Sequence, residues 1–251
     1  MGKVIAVVNQ KGGVGKTTTA VNLTAALHDQ GVRVLLCDFD PQANATSGLG
    51  LDKRKVKYNV YDVVINGIPA KEAIISTQYG DVLPSSADLA GATVELITAE
   101  SRENQLGKAL ASVRDEYDLI FVDCPPSLEL LTLNALCASD GILVPVQCEY
   151  YALEGLSDLM STLRTVKRRI NPRLEIFGVA LTMFDGRTNF SAQVAQEVRR
   201  HFPGKVFAAV IPRNIRLAEA PSHGIPVTAY DRSSRGAKAY RAMAEEIQKK
   251  L

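Results

Sequence analysis

The stretch NQKGGVGKTTTA, residues 9–20, combines glycines, lysines and threonines in a spacing that suits phosphate binding. It follows an apolar run and precedes a helical pattern, so backbone N–H groups and a helix N-terminus would point at one spot. Lys16 can reach the β- and γ-phosphates of a nucleotide, and Thr17 can ligate Mg²⁺. The predicted phosphate site comprises Lys11, Gly12, Gly13, Val14, Gly15, Lys16, Thr17 and Thr18.

Lys11 departs from the usual phosphate-binding pattern GxxxxGK[ST]. The first glycine of that pattern would fall at position 10, which is Gln10, and Lys11 comes next, five residues before Lys16. Two ammonium groups this close repel each other unless phosphate charges lie between them or one points elsewhere. Lys11 could therefore act on a neighbouring molecule, although taken alone it could equally be a solvated loop lysine.

Three aspartates fall at or just past the ends of apolar runs. Asp38 and Asp40 end RVLLCDFD, and Asp123 ends LIFVD. In a parallel sheet these ends share the edge that carries the phosphate-binding loop, so the carboxylates should converge there. One such aspartate alone would more simply cap a turn. Together with the loop they predict Thr17, Asp38 and Asp123 around a metal, and Lys16 and Asp40 as catalytic residues, with Asp40 positioning the attacking water.

Short apolar runs rich in β-branched residues alternate with helical patterns along the chain. Runs that are hydrophobic at every position are typical of parallel strands covered on both faces. These runs are residues 4–8, 33–40, 119–123, 141–147, 176–183 and 206–212. Helical spacing occupies segments such as 17–31 and 153–172, which end at glycine or before proline. The sequence predicts an α/β fold of P-loop NTPase type, a doubly wound, mostly parallel sheet flanked by helices in one domain, residues 1–251.

Composition favours a soluble cytoplasmic protein. The chain is 46% hydrophobic and 22% charged, and no apolar run approaches the roughly 20 residues needed to span a bilayer. The strand-like VIAVV starts three residues after Met1, which leaves no room for a signal peptide. The cysteines form no CxxC pair, so buried reduced thiols are expected at Cys37, Cys124, Cys137 and Cys148.

Charge is unevenly distributed along the chain. Residues 1–163 hold 12 Lys and Arg against 20 Asp and Glu, whereas residues 164–251 hold 17 against 7. A segregated basic region suggests a polyanionic partner, nucleic acid or anionic lipid, with a merely solvated face as the alternative. Candidate phosphate-backbone contacts in this region are Arg187, Arg213, Arg216, Arg235, Lys238 and Arg241.

Three motifs together resemble a known family. KGGVGKTT, DFDPQANATSGLG at residues 38–50 and DLIFVDCPPS at residues 118–127 are similar to the deviant Walker A ATPases, and specifically to the ParA/Soj branch of chromosome and plasmid partition ATPases. The resemblance implies the cofactors ATP and Mg²⁺ and an ATP-sandwiched homodimer. In such a dimer the lysine matching Lys11 reaches the partner's phosphates, much as an arginine finger does.

The resemblance also implies what binds the base and what the nucleotide controls. No NKxD sequence for guanine occurs, so adenine is expected, with Pro212 and Asn214 as contacts. Arg187 and Arg216 match positions that the Soj branch uses for non-specific DNA binding. The implied partners are double-stranded DNA, a second copy of the chain and a ParB/Spo0J-like protein that stimulates hydrolysis, with the chain nucleoid-associated and not membrane-bound.

Two other functions stay open from the sequence. A MinD-like membrane switch would need an amphipathic C-terminal helix with exposed apolar residues, whereas the spacing of Tyr240, Met243 and Ile247 favours a helix docked on the sheet. A cluster-carrier or reductase ATPase would need cysteines that meet a cluster across a dimer axis, and the scattered cysteines argue against it.

Overall fold

The computed structural model describes residues 2–149 and 152–251, with the backbone alone described for residues 152–158. The strands are β1 (Lys3–Val7), β2 (Val34–Asp38), β3 (Ile75–Thr77), β4 (Gly80–Leu83), β5 (Leu119–Asp123), β6 (Gly141–Gln147) and β7 (Glu175–Thr182). The helices are α1 (Lys16–Asp29), α2 (Asn44–Gly48), α3 (Val60–Val64), α4 (Ala70–Ala73), α5 (Leu89–Leu96), α6 (Gln105–Ala111), α7 (Leu130–Ala138), α8 (Ala152–Arg169), α9 (Asn189–His201), α10 (Ile215–Glu219), α11 (Val227–Tyr230) and α12 (Arg235–Gln248). Short 3₁₀ turns cover Arg114–Glu116 and Ala220–His223.

The strands form one sheet in the order β3-β4-β2-β5-β1-β6-β7. Every neighbouring pair is parallel except β3 with β4, which confirms the predicted doubly wound, mostly parallel α/β fold. Strands β2 and β5 are buried at every residue, as parallel strands must be when helices cover both faces.

Two hydrophobic cores lie on the two faces of the sheet. Residues from α3, α5, α6, α7 and α9 pack on one face, and α1 and α12 supply most of the helical residues that pack on the other. Neighbouring residues of a strand contribute to opposite cores, as with Ile120 in one and Phe121 in the other, because side chains alternate across a strand. The sheet is thereby held rigid between two apolar layers, and its strand ends provide a fixed edge.

The C-terminal helix α12 is docked on the molecule rather than exposed. It packs along α1, with Tyr240, Met243 and Ile247 no more than 1% exposed. This confirms the expected docking and removes the apolar face that a membrane-binding helix would need. Within the described ranges, no helix has the length and apolarity to cross a bilayer.

The structure corrects the strand predictions at two places. Residues 206–212 make only single bridges at their two ends, Val206 to Val179 and Pro212 to Phe184. In the middle, the N–H groups of Ala208 and Ala209 donate to the Glu246 carboxylate at 2.8 and 2.6 Å, so they are unavailable to a strand ladder. Conversely, β3 and β4 were missed because they are short, and β3 is not hydrophobic at every position.

The cysteines are free thiols placed largely in the interior. Cys37, Cys124 and Cys148 are at most 1% exposed, and Cys137 is half-buried. Burial raises the pKa of the Cys37 and Cys124 thiols. The predicted buried thiols are confirmed at these three positions, where a thiolate able to bind a cluster would be disfavoured.

Candidate functional site

The phosphate-binding loop joins β1 to α1 at the carboxyl edge of the sheet. Gly13 and Gly15 have φ angles of 74° and 91°, in the left-handed region that favours glycine. Gly15 caps α1 with no side-chain hydrogen bond, which leaves the first N–H groups of this helix directed into the loop. Gly12 and Gly13, earlier in the loop, are exposed to solvent. The loop has the form of an anion cradle.

Neighbouring elements fix the shape of this loop. Asn9 accepts a hydrogen bond from the Lys11 N–H at 3.0 Å and donates its amide to the Pro145 carbonyl at 2.8 Å. The Thr182 hydroxyl, at the end of β7, donates to the Val14 carbonyl at 2.8 Å. Strands β6 and β7 therefore hold the loop from two sides, a role that the sequence analysis did not assign to Asn9 or Thr182.

Lys16 is directed into the loop, whereas Lys11 lies at its rim. The Lys16 side chain is buried, and its Nζ donates to the Lys11 carbonyl at 3.1 Å. Burial lowers the pKa of Lys16, and the nearby Asp123, Cys124 and Asp40 oppose that change. Lys11 itself is half-buried. The two lysines thus occupy different environments, one inside the cradle and one at its edge.

Asp38 is fully buried and already hydrogen-bonded. Its Oδ2 accepts from both the N–H and the hydroxyl of Thr46 at 2.7 Å, and its Oδ1 accepts from the Asp40 N–H at 3.3 Å. Burial raises the pKa of Asp38 to about 6, against the lowering effect of these hydrogen bonds. The residue anchors the start of α2 beside the site, with Oδ1 as its less committed oxygen.

Asp123 is a buried carboxylate that lacks the regular hydrogen bonds of Asp38 among the residues that the structure describes. It stands opposite Asp38 in the β2–β5 register and is fully buried, and neither of its oxygens makes a hydrogen bond of regular geometry with the described residues. Burial, followed by the Asp38 charge, raises the pKa of Asp123 well above its ordinary value, and the nearby Thr17 hydroxyl opposes the rise. A buried, unpaired carboxylate facing a hydroxyl suits a hydrated cation.

Asp40 lies on the loop after β2, at the mouth of the site. It is 7% exposed, and its Oδ1 accepts from the Gln42 N–H at 2.9 Å, which fixes the turn that leads to α2. The carboxylates of Asp38, Asp40 and Asp123 do meet at one edge, as predicted. Among the residues described, no group of three or more His, Cys, Asp or Glu is arranged to hold a metal on its own.

A cavity of about 440 Å³ opens beside the loop. Gly15 and Thr18 form its wall on the loop side, and Pro212 and Asn214 line it from the segment before α10. The Asn214 side chain also caps α10 by accepting from the Arg216 N–H at 2.8 Å. The predicted base contacts therefore share one apolar cavity with the phosphate loop. Further lining residues that the sequence analysis missed are Thr182, Met183, Leu217 and Tyr240.

Comparison with known proteins places this site in a family. A profile described as an AAA domain matches residues 2–176. The sporulation initiation inhibitor protein Soj of Bacillus subtilis (strain 168) is 55% identical over 249 residues, which cover 98% of each chain. The chromosome partitioning protein ParA of Myxococcus xanthus (strain DK1622) is 49% identical over 252 residues, covering 100% of this chain and 89% of that protein.

The chain belongs to the Soj/ParA family of chromosome partitioning ATPases. Solved structures agree with the fold of this family member. The cobyrinic acid a,c-diamide synthase of Mycobacterium smegmatis, solved with ADP and magnesium, superposes with a TM-score of 0.87 at 38% identity, over 99% of this chain and 95% of that chain. The same enzyme has been solved with an ATP analogue and magnesium.

Three of the predicted DNA-binding arginines of this Soj/ParA chain, Arg187, Arg213 and Arg216, are exposed, and Arg213 also lines the cavity. Arg187 stands in the turn before α9, and its side chain is 88% exposed. The Arg213 N–H donates to the Phe184 carbonyl at 3.0 Å, which brings Arg213 close to the turn that carries Arg187. The Arg213 side chain is also exposed. Arg216, on α10, is also exposed. The cavity and the exposed Arg213 and Arg216 thus share the segment around Asn214.

The basic residues of α12 differ in their availability. Arg235 and Lys238 are exposed on the first turns of the helix. Arg241 is half-buried, and its guanidinium donates to the Arg232 carbonyl at 2.8 Å and toward the Thr228 carbonyl at 3.4 Å. Arg241 therefore tethers the segment that precedes α12, whereas Arg235 and Lys238 face solvent.

Proposed function

We propose that this chain is a Mg²⁺-dependent ATPase whose ATP-bound homodimer binds double-stranded DNA without sequence preference. Hydrolysis, stimulated by a ParB/Spo0J-like partner, would release the DNA and return the chain to the monomer. In this proposal residues 1–251 form one functional domain, supported by the single sheet between two cores. The observation that carries the proposal is the buried Asp123 carboxylate, which makes no regular hydrogen bond with the described residues and lies near Thr17 and the buried Lys16 of the glycine-rich loop.

The residues present fit the bound groups. N–H groups of residues 12–18 and Lys16 would hold the phosphates, with the Lys16 ammonium exchanging its contact with the Lys11 carbonyl for phosphate oxygens. Mg²⁺ would neutralise charge on the β- and γ-phosphates. Thr17 and Asp123 would hold the ion and its waters, and Asp38 would support them through its Oδ1. Adenine would lie in the cavity between Pro212 and Asn214.

Hydrolysis in this proposal needs a positioned water and charge neutralisation. Asp40, held in its turn by the Gln42 N–H, would orient the attacking water at the mouth of the site. Lys11 at the rim would reach the phosphates of the second protomer, so that each ATP contacts Lys16 of its own chain and Lys11 of the other. Such a lysine supplied in trans would add charge stabilisation that a monomer lacks.

DNA binding would follow from dimerisation. Arg187, Arg213 and Arg216 would contact backbone phosphates, with Arg235 and Lys238 extending the surface, and a dimer presents the set twice. Because phosphate contacts release counterions, such binding should weaken steeply with salt. A similarity to chromosome partitioning protein ParA supports this proposal. A protein that moves chromosomes has to bind DNA reversibly.

The test measures binding of Asp40→Ala to random-sequence duplex DNA with ATP and with ADP, over a salt series. Tight, salt-sensitive binding only with ATP is expected, and it should disappear when Arg187→Glu and Arg216→Glu are added. A control with Arg33→Glu and Lys108→Glu applies the same charge change at exposed positions near the opposite edge of the sheet and should bind normally. Absence of DNA binding from a stable ATP dimer would refute the DNA part of the proposal.

A further inference from the structure

The side of the Arg187 guanidinium that can donate two parallel hydrogen bonds to a phosphate is occupied by a carboxylate of its own chain. Its Nε and Nη2 donate to Asp185 Oδ1 and Oδ2 at 2.9 and 2.7 Å. The Arg187 N–H also donates to Asp185 Oδ1 at 3.1 Å, so the pair is closed within one turn. The hydrogen bonds from Arg187, with a smaller contribution from the Arg213 charge, hold the pKa of the Asp185 carboxyl below its ordinary value, so that it is ionised at neutral pH.

Arg216 is paired in a similar way. Its Nη1 donates to Glu219 Oε2 at 2.7 Å, and its Nε lies 3.4 Å from Asp231 Oδ2. Asp231 also accepts hydrogen bonds from the N–H groups of Ser233 and Ser234, so it holds the backbone ahead of α12. Within the part of the chain that the structure describes, the Glu219 carboxylate accepts one further hydrogen bond, from the Tyr230 hydroxyl at 3.3 Å. Glu219 is therefore the partner that can be neutralised with the least effect on the backbone.

A carboxylate and a phosphate compete for the same face of a guanidinium. Arginine binds both groups through two parallel N–H donors, so one occupant must leave before the other binds in that geometry. The fixed carboxylate also repels the incoming phosphate. Since these pairs are exposed, each is weak enough for DNA to displace.

We propose that Asp185 and Glu219 act as intramolecular counterions that weaken DNA binding, so that the affinity stays low enough for release. This inference rests on the proposed DNA-binding function. It assigns the two carboxylates a role in setting the strength of that binding. The carboxylates would lower the affinity of each protomer for DNA, so that tight binding needs the two sets of arginines that a dimer presents.

The size of the effect follows from the exposure of the pairs. Displacing an exposed ion pair weakens binding by about two- to fivefold. Because a dimer presents each carboxylate twice, neutralising one of them should tighten binding by the square of that factor, about four- to twenty-fivefold if the two copies add.

The experiment compares Asp185→Asn, Glu219→Gln and the unchanged chain for binding to random-sequence duplex DNA with ATP at several salt concentrations. Asparagine can still accept the Arg187 N–H, so the turn is kept. The matched control is Asp118→Asn. Asp118 pairs with Arg33 by the same pattern, a backbone N–H at 3.0 Å and two side-chain bonds at 3.2 and 2.6 Å, and it lies just before β5 at the other edge of the sheet.

Tighter binding of Asp185→Asn and Glu219→Gln, with Asp118→Asn unchanged, is the expected result. Equal tightening by Asp118→Asn would overturn the inference, since net charge alone would then explain the gain. Unchanged or weaker binding of the first two variants would also overturn it, because the carboxylates would then be neutral or would orient the arginines for DNA. If the unchanged chain binds no DNA with ATP, the proposed function itself fails, which is a separate outcome from these.

Discussion

Replacing Asp123 with asparagine should stabilise the nucleotide-free protein while it weakens nucleotide binding. The carboxylate is fully buried and makes no regular hydrogen bond with the described residues, so its charge destabilises the fold until a cation binds there. Asparagine has the same shape without the charge. The variant therefore separates the effect of the buried charge on the stability of the nucleotide-free protein from the contribution of the carboxylate to nucleotide binding.

The magnitude can be worked from the neighbouring Asp38. That carboxyl accepts three hydrogen bonds, yet burial still raises its pKa from 3.8 to about 6. Ionising such a group in the fold costs about 3 kcal/mol at roughly 1.4 kcal/mol for each pKa unit. Asp123 is equally buried without those hydrogen bonds, so at pH 8 we expect Asp123→Asn to raise the free energy of unfolding by an amount on the order of 1–3 kcal/mol, the usual cost of a buried polar group without a partner.

The sign of the pH dependence follows from the raised pKa of Asp123. Below the pKa of the unfolded chain, about 4, the carboxyl is protonated in both states and the difference between variant and unchanged protein vanishes. The destabilisation grows as the pH rises above that value, and it is complete above the folded-state pKa. At pH 5 the difference should therefore be smaller than at pH 8.

Urea unfolding at pH 5 and pH 8, in EDTA and without nucleotide, measures this difference. With ATP and Mg²⁺ added the order should reverse, because the unchanged protein gains stability from ligand binding and Asp123→Asn gains little. The reasoning is refuted if the variant is no more stable than the unchanged protein at pH 8, or if its advantage is as large at pH 5 as at pH 8.

Three further predictions follow from the site and the core. Lys11→Ala should lower ATP turnover by at least about 100-fold while ATP still binds. In mixed dimers with Asp40→Ala, a lysine that acts in trans places both defects at one site and leaves the other site intact, so single-turnover hydrolysis should recover at that site; hydrolysis as poor as in either pure variant would contradict action in trans. Asp40→Ala alone should retain an ATP-dependent dimer in size-exclusion chromatography but lose hydrolysis, and a variant that still turns over ATP at the normal rate contradicts the water-positioning role. Gly178→Ala should destabilise the fold by about 1–3 kcal/mol in thermal unfolding, because the added Cβ would overlap the Phe207 ring; an unchanged melting temperature would mean that this ring moves aside freely.

The sequence was most informative where one local rule decides the structure. Runs that are apolar at every position gave five of the strands that the structure contains, because only strands covered on both faces need such runs. The rule failed at residues 206–212, where Glu246 of α12 takes the N–H groups of Ala208 and Ala209. That competition comes from a residue 37 or 38 positions away along the chain, which no local pattern records.

The site shows the same division. Spacing alone located the loop, Lys16, Thr17 and the three aspartates, since a phosphate cradle needs glycines before a helix and carboxylates at strand ends. It did not reveal that Asp38 is hydrogen-bonded by Thr46 and that Asp123 is not. Residue type could not distinguish these two carboxylates, because the difference lies in what packs against each oxygen.

The sequence by itself determined the class of fold, the position of the phosphate loop and the candidate groups for a metal and for DNA, because each depends on residue types at short spacing. Only the tertiary structure decided which groups have partners. It brings Thr182 of β7 to the loop, joins Pro212 and Asn214 to the same cavity, and sets Glu219 and Asp231 against Arg216. Chain folding brings distant residues together, and hydrogen bonding and electrostatic attraction act over a few ångströms of space whatever the separation in sequence.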